Sequence, residues 1–341
     1  MIRKVSGLLG VALLAGLWAV AGAWAQPINW QVHTINPQQY WASNDEIIYA
    51  KELDQQTSGR LKLTVYPTGS LGFKGSDILD AISNNLIQAG EVWGSHVAGQ
   101  EQIMELFELP LFVPWDYPLM VKLWDGLYED YDRLLSKRYK VRLITILQNE
   151  PRNLHTKRRV NRLADLQGLK IRAIGPVEST FTKNIGAVPV PVNWTELYTA
   201  LSTGVVDGNW AADLAEASMK FYESVKFTFD TGSGGLGIFI MVSQDALKGL
   251  PPDLRKTYMD SWPALRDRLR TSMQKGTALG RKLMTETGGV TVVPVSDADR
   301  ARMREAAAPI IKAWVGRLDP ESRAIYEHAK SIIAEHYKKR G

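Results

Sequence analysis

The feature that most constrains this chain is its alternation of strand-like and helix-like segments. Ile28 to Ile35 alternates as a strand does. A helix is expected from Ser43 or Asn44 as N-cap through Ile47, Ile48, Ala50 and Leu53, stopped by Ser58-Gly59. Leu61 to Tyr66 is a second strand, ended by Pro67. The Gly69-Ser70-Leu71-Gly72 turn leads into a helix carrying Ile78, Leu79 and Ile82. Further strands are expected at Leu143 to Leu147 and Leu169 to Ala173, with a helix at Ser179 to Asn184 and another capped by Asn193 with Glu196. This pattern predicts α/β layers with mostly parallel sheets. After a buried strand at Leu236 to Ser243 the chain turns helical. One long helix is expected from Pro252 through Met284, then a short strand at Val290 to Val293. Ser296 with Asp299, and Asp319-Pro320, open the last two helices.

A length of 341 residues exceeds what one core usually supports, so two domains are expected. Cysteine is absent, which excludes disulfides, thiolate metal sites and cysteine nucleophiles together. The N-terminus has the parts of a secretory signal: Arg3 and Lys4, an apolar run from Gly7, and Ala23-Trp24-Ala25 as a small-residue exit. Cleavage after Ala25 is expected, the alternative being an uncleaved anchor. The net charge of +5 is mild and its basic residues are scattered. The clusters Lys157-Arg158-Arg159 and Lys338-Lys339-Arg340 read as solvated surface, and no nucleic-acid partner is expected.

Motifs for catalysis are lacking. Gly232 to Gly237 matches G-x-G-x-x-G, but a strand follows it where a dinucleotide site needs a helix, so it reads as a crossover or hinge. The five histidines, His33, His96, His155, His328 and His336, have no metal-ligand spacing. Ser233 and the other serines lack a nucleophile elbow. No enzyme activity, cofactor or metal is expected. The most informative stretch is Asp165 to Ala173, where Arg172 sits on a short strand between apolar neighbours. An isolated strand arginine is usually surface. Its planar fork of donors nevertheless suits a carboxylate, and Arg152 follows another strand twenty residues earlier.

Three ordered segments now resemble the solute-binding proteins of TRAP (tripartite ATP-independent periplasmic) transporters: Ala164 to Arg172, Gly186 to Pro191, and Glu196 to Gly208. Ser58 to Leu61, Gly69 to Gly72, Leu109 to Phe112 and Leu250 to Pro252 resemble the family's flanking motifs. The resemblance implies two α/β domains joined by several crossings, with a ligand cleft between them and a long C-terminal helical region. It divides the chain into a first domain of 26–149 plus about 237–276 and a second of 150–236 plus about 277–341. It places Arg172 as the carboxylate clamp, Arg152 as its helper and Trp194 as an aromatic packing on the ligand. Trp41, Lys74 and Trp93 fall near other ligand-facing positions. Where many members carry Gln-Glu-Asn-Pro, this chain has Asn209-Trp210-Ala211-Ala212, so either Asn209 or a nearby polar residue substitutes for the missing asparagine, or the carboxylate is held with fewer donors. Trp210 with Ala211 suggests a larger, more apolar ligand, aromatic or branched.

The expectation is therefore a monomeric periplasmic receptor that delivers a small organic carboxylate to a membrane permease. A sensory protein of the same fold, and an exported hydrolase or isomerase acting on a carboxylate, are the alternatives.

Overall fold

The computed structural model describes residues 26–338, so the expected signal segment lies outside the described residues. The first part of the chain builds β1 (Ile28–His33), α1 (Trp41–Gln56), β2 (Leu61–Tyr66), α2 (Ile78–Ser83), β3 (Ala89–Trp93), α3 (Gly94–Val97), α4 (Tyr117–Tyr139) and β4 (Val141–Gln148). It then crosses to β5 (Arg152–Thr156), β6 (Lys170–Arg172), α5 (Gly175–Asn184), β7 (Val188–Val190), α6 (Leu197–Thr203), β8 (Gly208–Ala212), α7 (Asp213–Ser218) and β9 (Phe227–Asp230). Beyond these come β10 (Gly237–Ser243), α8 (Gln244–Gly249), α9 (Pro252–Asp260), α10 (Trp262–Lys282), β11 (Thr291–Pro294), α11 (Asp297–Gly316) and α12 (Pro320–Lys338).

Two sheets result, with strand orders β2-β1-β3-β10-β4 and β11-β9-β5-β8-β6-β7. The sheets are mixed where mostly parallel ones were expected. Every antiparallel pairing involves β10 or β5. The cause is connectivity. A parallel neighbour needs a crossover, usually a helix. β5 and β10 instead enter directly from the other lobe, over residues 149–151 and 231–236.

Those two crossings run side by side. The Asn149 amide donates to Leu236 O (3.0 Å), the Arg152 amide to Gly234 O (2.8 Å) and the Ser233 amide to Arg152 O (3.0 Å). The glycine-rich run exists for this approach: Gly234 holds φ +95°, and a Cβ on Gly235 would meet Asn149 O at 2.3 Å. A third crossing is α10, which packs on α1 of the first lobe and α7 of the second. Gly276 and Gly280, one turn apart on α10, let Leu214 of α7 approach; a Cβ on Gly280 would lie 2.3 Å from the Leu214 nitrogen. The chain crosses a fourth time after α11, which packs on α5, because α12 returns to lie along α4.

Two expected helices differ in extent. α1 begins at Trp41, with Tyr40 as an extended N-cap that makes no side-chain cap bond. Trp41 is held there by a distant partner, Glu150, through its indole N–H (2.8 Å). The long helix divides at Ser261 because Pro263 lacks the N–H that would continue it. The break seats Tyr258 and Trp262 edge-on to each other (5.8 Å), with Tyr258 also edge-on to Trp30 of β1 (5.1 Å). Ser296 caps α11, its Oγ accepting from the Asp299 amide (3.1 Å) and donating to the Asp299 carboxylate (3.0 Å).

Candidate functional site

Arg172 closes β6 and pairs in register with Asn209 on β8. Its Nε donates to Val192 O (3.1 Å), and its Cζ lies 5.5 Å from the Trp194 ring centroid. Trp194 is steadied edge-on by Phe221 (5.1 Å). Arg172 is only 6 % exposed, yet no carboxylate comes within ion-pair distance of it among the described residues. Burial holds its pKa down to about 10, with Arg152 adding to the effect and Glu178 and Glu216 opposing it at longer range. A buried guanidinium over an indole and without an anion is a costly arrangement unless something completes it.

Arg152 has a different situation. Strand alternation along β5 and β8 puts Arg152 and Trp210 on the face opposite His155 and Asn209. Its guanidinium forms a two-pronged pair with Glu178 of α5 (2.8 and 3.1 Å) and donates to Trp210 O (2.9 Å). Glu178 also accepts the Ile174 amide (3.2 Å). Arg152 is thus committed within its own lobe, although its charge is felt by Arg172.

The proposed tryptophans separate in the same way. Trp210 points into the core, donating to Thr182 Oγ1 (2.9 Å) and packing on Phe181 (5.9 Å), so its ring is removed from the Arg172 face. Trp41 and Tyr40 both donate to Glu150 beside the first crossing (2.8 Å each), which places Trp41 against the crossings. Trp93 belongs to the opposing wall. It stacks on His96 (6.2 Å, 19°) and donates to Glu91 (2.9 Å), while Glu91 also binds Thr34 and Asn36. Burial lowers the His96 pKa, and the Arg172 charge adds to the effect. Lys74 is exposed and precedes Gly75, whose missing Cβ leaves room for the His96 ring (2.2 Å to Nδ1).

Asn209 is fully buried beside Arg172, and its Nδ2 donates to Glu216 of α7. Burial pushes the Glu216 carboxyl up, while His155 and the Asn209 bond pull it back. His155, next in the row, binds the Ala211 carbonyl (3.1 Å) and sits 2.9 Å from Thr228 Oγ1. Sequence reasoning missed His96, Glu91, Glu178 and Glu216. Only the three-residue spacing of Trp93 and His96, which shares one face of a turn, carried a readable signal.

Two lobes with interleaved chains, facing each other across an unneutralised arginine, form the frame of a solute receptor. The chain belongs to the family described as bacterial extracellular solute-binding protein, family 7, whose match spans residues 34–317; this is the TRAP solute-binding family. It is 26% identical over 92% of its length to a solute-binding protein of Roseobacter denitrificans, covering 98% of that protein. It is 23% identical to the C4-dicarboxylate-binding periplasmic protein of Rhodobacter capsulatus, over 96% of this chain and 99% of the relative. A Bordetella pertussis extracytoplasmic solute receptor binding pyroglutamic acid superposes with a TM-score of 0.82 at 22% identity, covering 89% of this chain and 99% of that one. The family consists of transport solute-binding proteins, and the named relatives that state a location are periplasmic.

Proposed function

We propose that this protein captures a small organic carboxylate between its lobes and delivers it to a membrane permease, without chemical change to the ligand. One observation carries the reading: Arg172 is buried and lacks an anionic partner among the described residues. With its guanidinium over Trp194 and Nε engaged, its terminal nitrogens remain to donate to both oxygens of one carboxylate. The ligands for which the relatives are named, a C4-dicarboxylate and pyroglutamic acid, support the same class. Trp194 and the Trp93–His96 pair are the side chains proposed to pack on the rest of the ligand. Arg152 acts at a distance, and Lys74 sits at the rim. Closure brings His96 toward Arg172 by bending at 149–151 and 231–236.

The protein is proposed to work as a monomer in the periplasm after cleavage following Ala25. The first lobe comprises 26–149 and about 237–276, with 320–338 added by its packing on α4. The second comprises 150–236 and about 277–319. A thermal-shift screen tests the function, since a ligand that binds only the folded state raises the melting temperature. Carboxylates are expected to dominate the hits. Stabilisation by neutral sugars or cations, with carboxylates inert, would sink the proposal.

A further inference from the structure

Arg172 does not stand alone on its face of the second sheet. Thr228, His155, Asn209 and Arg172 are successive register partners on β9, β5, β8 and β6. Register partners point to the same side of a sheet, so these four buried polar groups form one row across strands about 4.8 Å apart. Thr228 and His155 satisfy each other, and His155 also binds Ala211 O. The Asn209 amide is oriented by its bond from Nδ2 to Glu216 Oε1. Its Oδ1 is then left buried with no partner. Ala211, the next residue of β8 on this face, has no donor to offer it.

The row therefore ends in two unfilled groups side by side: N–H donors on Arg172 and a carbonyl acceptor on Asn209. A plain carboxylate satisfies only the first, and an unpaired buried acceptor is destabilising. We propose that Asn209 is a specificity-determining residue, selecting carboxylates whose α-carbon bears a hydrogen-bond donor. The class is 2-hydroxy acids and acids with an N–H on the α-carbon, in preference to 2-oxo and unsubstituted acids. This rests on the carboxylate reading of Arg172 given above. The 2-oxo acid is the informative competitor, because its α-oxygen would face Oδ1 acceptor to acceptor.

The test is calorimetric titration of the full-length mature protein with matched trios: 2-hydroxy, 2-oxo and unsubstituted monocarboxylates on the same carbon skeleton. The 2-hydroxy member is expected to bind at least about tenfold tighter than either analogue. Asn209→Leu, similar in volume, should bind the three members alike, with circular dichroism confirming its fold. If Asn209→Leu does not fold, the wild-type trio alone decides. Equal affinities across the trio would overturn the inference. So would tighter binding of the 2-oxo member, the outcome expected if Glu216 holds a proton and the Asn209 amide is turned over. Persistence of the preference in Asn209→Leu would also overturn it. If carboxylates bind without this preference, only the role of Asn209 has failed. If no carboxylate binds, the reading of Arg172 has failed with it.

Discussion

At the scale of single residues, two arginines of similar burial are held for opposite reasons. Arg172 is 6 % exposed with no anion, and Arg152 is 9 % exposed with Glu178 on its fork. Their substitutions should diverge accordingly. Arg172→Met removes a buried unneutralised charge, so carboxylate binding should vanish while the ligand-free melting temperature holds or rises. Arg152→Met strands Glu178 and should lower stability by about 3–5 kcal/mol in urea unfolding. Equal destabilisation by the two would contradict the distinction. Strand parity alone could have shown that Asn209 and Trp210 cannot face the same ligand, and that signal was in the sequence. The partner of Arg152 was not, because Glu178 sits twenty-six residues away on a helix that only the fold brings near.

At the scale of elements, β1, β2, β4, β6, β10 and β11 could be read from periodicity and turn residues, whereas β3, β5, β7, β8 and β9 could not. β2 stops at Tyr66, just before Pro67, and α11 and α12 start at the expected signals. Elements set by distant partners could not be read so well. α1 starts early because Trp41 reaches Glu150, and β5 and β10 run antiparallel because each arrives from the other lobe. The crossing helix α10 makes the same point through Gly280, whose vacant Cβ position is filled by the α7 backbone. Gly280→Ala should destabilise the protein by about 1–3 kcal/mol, although alanine is the better helix former. Denaturant unfolding measures this, and a gain in stability would mean that α7 can yield.

At the scale of the whole molecule, burial of ionisable groups sets the pH range of stability. Burial holds His33 down to about 4, so the folded state refuses a proton that the unfolded chain takes up below 6.5. Stability should fall by about 3 kcal/mol from this group as pH drops from 6.5 to 4, with no further loss from it below that. Glu105 and Glu108 are raised by burial to about 6 and 8, and Glu105 pushes Glu108 further. Their contribution is complete below the ordinary value of 4.5 and is lost as pH rises through 6 and 8. Above pH 6.5 only this carboxylate trend remains of the two, so the melting temperature should decline up to about pH 8 and change no further from these groups beyond it. Glu108→Gln keeps an acceptor for the Ser95 amide (2.7 Å) and should flatten that decline. An unchanged slope in this variant would rule Glu108 out as its source.

The placement of β10 between β3 and β4 also bears on how the chain is made. During synthesis, every other strand of the first sheet is in hand by residue 148, yet β3 and β4 have no neighbour in common until residues 237–243 arrive. The helix that covers α4 comes last of all. A nascent chain of this design cannot finish its first lobe before it has made its second. The order in which its parts are translated is therefore not the order in which they can settle.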